Sequence, residues 1–133
     1  MRDAVQNIKN MQTELERIQS KLERLSGTLK FEQRSLNAPL EKITSDLDSM
    51  LDLGYDILLI DQGDYSTAVN DLTFTDQFID LIISHLMHLQ KGDKVRLTRQ
   101  QDDMISNINK HLMHVQGSLM IVLNTFNKNA ENN

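Results

Sequence analysis

Apolar side chains open this chain as an unbroken ladder: Ala4, Ile8, Met11, Leu15, Ile18, Leu22, Leu25 and Leu29, spaced alternately four and three residues apart. Such spacing keeps one stripe of an α-helix facing a partner helix over about four heptads. The pattern predicts a helix from about residue 2 to about residue 35. We read it as continuous through Gly27, because that glycine lies off the seam and Leu29 keeps the phase. With Ile8, Leu15, Leu22 and Leu29 at a positions and Met11, Ile18 and Leu25 at d positions, the flanking e and g sites form few opposite-charge pairs. They do not specify a parallel dimer partner.

Asn37-Ala38-Pro39 marks the next boundary, since proline suits the first turn of a helix and asparagine caps it. Leu40, Ile43, Leu47, Met50, Leu51 and Leu58 predict a second helix, with Gly54 a possible kink and residues 57–60 a possible short buried strand. Gly63 and Asp64 form a stop and restart. Thr75 before Asp76 reads as the cap of a third helix carrying Phe78, Ile79, Leu81, Ile82, Ile83, Leu86 and Leu89 and ending near Gly92. Because it is apolar over more than half its circumference, that helix is expected at the centre of the bundle. A last helix from about Thr98 carries Met104, Ile105, Ile108, Leu112, Val115, Leu119, Val122 and Phe126, a stripe long enough to lie against the first helix.

These elements predict an all-α, elongated bundle of about four helices with a long N-terminal heptad (coiled-coil) helix. A single helical domain is expected over 1–126, divided into the coiled-coil helix 2–35 and a helical bundle 38–126, with an Asn-rich disordered tail over 127–133. The 133 residues suffice for one core, and a single Pro with five Gly suits long helices. A net charge of -5 and few aromatic side chains argue against a nucleic-acid or anionic-membrane partner. The basic stretch Lys91, Lys94, Arg96 and Arg99 reads as a solvated loop. No apolar run is long enough for a bilayer, and the chain opens into a polar amphipathic helix rather than an apolar leader, so we expect a cytoplasmic protein.

Candidate chemistry is sparse. Without cysteine there are no disulfides or thiolate sites, and no phosphate loop, nucleophile elbow or calcium loop occurs. One word repeats: His85-Leu86-Met87-His88-Leu89-Gln90 and His111-Leu112-Met113-His114-Val115-Gln116. Histidines three apart share a helix face, so His85, His88, His111 and His114 opposed across a bundle would offer four imidazoles to a metal or haem iron. The seven Met residues read as core filler, with Met11 and Met50 suited to an adaptable partner groove.

Gly63-Asp64-Tyr65-Ser66-Thr67-Ala68-Val69 resembles the turn between the two helices of a tetratricopeptide repeat, which implies a helix-turn-helix corner. His88-Leu89-Gln90-Lys91-Gly92 is similar to the His-x-Leu-Lys-Gly word of histidine phosphotransfer domains. That likeness implies a phosphoacceptor at His88, neutralised by Lys91, with Gly92 leaving room for a receiver.

The function expected from the whole pattern is non-catalytic: an adaptor, scaffold, chaperone or assembly subunit, with no cofactor. It would hold a protein partner or a second copy through Ile8, Met11, Leu15, Ile18, Leu22, Leu25 and Leu29. The first helix either folds back on the last or pairs between chains, and coiled-coil dimerisation is the outcome the seam favours. A metal- or haem-binding bundle and a phosphotransfer-like domain are the alternatives.

Overall fold

The computed structural model describes the backbone of residues 2–59, 65–92 and 95–131, and the surroundings of side chains within 6–52, 69–92 and 95–128. Four α-helices follow one another: α1 (Arg2–Gly27), α2 (Asn37–Leu59), α3 (Tyr65–Gln90) and α4 (Arg99–Glu131), with a 3-10 helix at Phe31–Leu36 between the first two. Each packs on its neighbours in a closed ring, α1 on α2, α2 on α3, α3 on α4 and α4 on α1. The molecule is an all-α bundle. α3 is one wall of that ring rather than its centre, and Leu81 on its outer side is exposed.

The N-terminal seam is the inner face of α1. Ile8, Met11, Leu15, Ile18, Leu22 and Leu25 are all buried, and Leu29 packs half-buried against the same core. Opposite them stand Ile105, Ile108, Leu112, Val115, Leu119 and Val122 of α4, each without solvent exposure. Hydrogen bonds from Lys21 to Asn107 and from His111 to the Glu14 carboxylate set the two helices antiparallel. α1 has folded back on α4 within one chain.

Several boundaries differ from the sequence expectation. α1 stops at Gly27, eight residues before the expected end near residue 35. There the Thr28 hydroxyl donates to the Leu25 carbonyl at 2.6 Å and the Leu29 N–H to the Ser26 carbonyl, taking up the last carbonyls of the helix. Leu29 keeps its core contact from outside the helix. α2 is helical through Gly54 to Leu59, which removes the strand alternative over the described part of 57–60. α3 begins at Tyr65, so Thr75 is not its cap. It lies mid-helix and buried, its hydroxyl bonded back to the Asp71 carbonyl at 2.9 Å. α4 continues to Glu131, so the expected tail is helical over 127–131. The corner at Gly63-Asp64 lies outside the described residues.

A buried polar knot ties one end of the bundle. Gln33 and Gln101 exchange reciprocal amide hydrogen bonds of 2.7 and 2.9 Å. Gln33 also donates to the Arg96 carbonyl at 2.9 Å and accepts from the Lys30 N–H at 3.0 Å. Gln101 donates to the Thr28 carbonyl at 3.1 Å and, with Thr98, forms a reciprocal capping box at the start of α4. Two side chains thereby fasten four segments.

Candidate functional site

The repeated His-Leu-Met-His words occupy facing turns of α3 and α4. Gln90 donates to Ser106 at 2.9 Å, and Gln116 donates to Asp80 at 2.6 Å, so the two helices run antiparallel with residue 80 beside 116 and 90 beside 106. Within each word the leucine, Leu86 or Leu112, is fully buried. The methionine turns outward: Met87 is 43% exposed and Met113 54%.

Helical spacing extends this outer edge. On α3 residues 76, 80, 83, 87 and 90 share one side, and on α4 residues 106, 109, 113, 116 and 120 do. Met120, 46% exposed, is the third methionine of the edge, and Ile121, 63% exposed, lies about 100° round α4 from it, on the side of His114. Gly117 lies between them, with nothing within 4 Å of a Cβ added there. Every exposed methionine among the described residues is on this face, whereas Met11 and Met50, expected to suit a partner groove, are core residues. A shallow hollow of about 340 Å³ on α3, lined by Asp80, Ile83, Ser84, Met87, His88 and Lys91, continues the surface.

Two carboxylates border the stripe. Gln116 Nε2 donates to Asp80 Oδ1 at 2.6 Å and reaches Asp76 Oδ1 at 3.4 Å, so one amide serves both acids. Burial, and then the Asp80 charge one turn away, push the Asp76 carboxyl above its ordinary value, and the Gln116 hydrogen bond offsets this only in part. Among the described residues neither acid forms an ion pair.

The histidines do not converge. His111 and His114 turn to α1, where their Nδ1 atoms lie 3.3 and 3.1 Å from the two carboxylate oxygens of Glu14. His85 is half-buried on α3, and His88 borders a hollow with Ser35, Leu36, Lys91 and Gly92. Among the described residues no group of three or more His, Asp or Glu could hold a metal ion. His88 stands two residues before the end of α3, and Lys91 and Gly92 lie beyond it, whereas the phosphotransfer likeness implies a mid-helix histidine. The basic residues Arg96 and Arg99 are exposed around the glutamine knot, and Lys21, Arg24 and Arg99 line a groove of about 560 Å³ between α1 and α4.

The seven seam residues expected to bind a partner are spent on α2 and α4 of their own chain. A foreign helix reaches them only by displacing one of those elements. No described helix is long and apolar enough to cross a membrane. No protein-family model matches the chain, and neither a curated protein nor a solved structure is similar to it.

Proposed function

We infer that this is a non-catalytic helical protein that works by binding another protein, as an adaptor, scaffold or assembly subunit. One observation carries the reading: Met87, Met113 and Met120 lie in solvent on one edge of α3 and α4 while the leucines beside them are buried in the core. Single exposed apolar residues are ordinary on a protein surface, but a stripe of this kind is a feature of interaction sites. Methionine supports the reading further, because its unbranched, polarisable side chain adapts to differently shaped partners. The heptad seam supplies the rigid wall on which the face is displayed.

The test is a photo-crosslinking amino acid placed at Met113 or Met120 in the native host, with exposed Ser45 of α2 as the control position. A discrete protein adduct from the stripe positions, and none from position 45, is expected. Equal or absent crosslinking at the three positions sinks the reading.

A further inference from the structure

The stripe carries a local charge. Between residues 43 and 90 the chain holds nine Asp and no Lys or Arg. Of these, Asp76 and Asp80 stand one helical turn apart on the edge that also carries Met87, share Gln116 as their donor, and have no cation beside them among the described residues. Among the described residues the cations of the same surface form no ion pair with either acid. Lys91, just beyond the end of α3, borders the same hollow as Asp80 without an ion pair to it. Lys110 lies six residues before Gln116 on α4, about 9 Å. Asp102 is at the far end of the edge, where its carbonyl accepts from Gln90.

A flexible apolar stripe with an unneutralised acidic border has a definite complement. We propose that the outer face of α3 and α4 docks a basic amphipathic helix, its apolar side on Met113 and Met120 and two cations one turn apart on Asp76 and Asp80. The proposal rests on the interaction reading above and adds the chemistry of the partner. A helix lays its apolar residues at i, i+3, i+4 and i+7 into such a groove. Lysine or arginine at i and i+4 on its flank then meets the two carboxylates, which follow the same spacing on α3. Like charges set beside each other disfavour the free face, and a pair of partner cations removes that repulsion.

The probe is a synthetic 18-residue Leu/Lys amphipathic helix, compared with a Leu/Glu helix of identical apolar face, each titrated into the full-length chain carrying 13C-methyl methionine. Adding the Leu/Lys helix should shift the Met87, Met113 and Met120 methyl signals and leave Met11 and Met50 in place, and the Leu/Glu helix should do neither. Binding should weaken about tenfold in D76N/D80N, as expected for the loss of two partly exposed ion pairs. It should be unchanged in D48N/D52N on α2. Raising the salt should weaken it as well. Several results overturn the proposal: no Leu/Lys binding, equal binding of both helices, equal loss in the two double variants, or shifts confined to other methionines. The methyl shifts need no substitution, so they hold the proposal to account even if a variant misfolds. Crosslinks at Met113 or Met120 without Leu/Lys binding would leave the interaction reading standing and remove only the basic helix.

Discussion

Single polar side chains inside this bundle have outsized effects. Gln33 and Gln101 are each at least 97% buried, and every amide they offer is used across segments distant in sequence. Replacing one strands its partner, so Gln101→Leu should cost about 3 kcal/mol in urea unfolding. The double variant Q33L/Q101L should cost less than the sum of the single losses, because an apolar pair leaves neither amide stranded. Asn109 of α4 has the opposite character: its Oδ1 is buried with no partner. Asn109→Leu should therefore raise stability, by about 1 kcal/mol in the same assay. Asp76 ties stability to pH. A carboxyl raised in the folded state binds its proton more tightly there, so its penalty is absent below the unfolded value of 3.8, grows as pH rises and is complete above the folded value. Asp76→Asn should melt higher than the parent chain near neutral pH, and this gain should vanish below pH 3.8.

At the scale of the element, Gly117 is a helix-weakening residue in the middle of α4 with open space where a side chain would stand. Gly117→Ala should stabilise the helix by about 1 kcal/mol, read as a higher thermal midpoint. The helices and their inner faces were legible because burial imposes a 3.6-residue period, and the ladder from Ile8 to Leu25 is that period. Their ends were not. Thr75 has the chemistry of a cap, yet the same hydroxyl satisfies itself on the preceding turn when the helix runs on. Gly27 does stop α1, against a seam that stays in phase, because Leu29 reaches the core from outside the helix. The repeated His-Leu-Met-His words were visible in the sequence, but the spacing of their histidines does not reveal that Met87 and Met113 stand exposed. A methionine gives no hint of which side of a helix boundary it will occupy. The glutamine knot had one signal, Thr98-x-x-Gln101, a capping box ahead of an apolar run.

For the whole molecule, each of the four helices packs on two others in a closed ring. Because the seam is intrachain, Leu22→Ala should lower stability by about 2–5 kcal/mol at every protein concentration. A melting temperature that rises with concentration would instead place the seam between copies.

The pairing of α1 with α4 also sets a timetable. α1 is made before its chief wall, α4, with roughly a hundred residues between Gly27 and Glu131. At about 5–20 residues per second, the ribosome leaves the apolar ladder of α1 incompletely covered for about 5–20 s. Neighbouring nascent chains on one message therefore present matching bare ladders to each other, and synthesis is the moment at which α1 is most exposed to capture by a chaperone or by its own sibling.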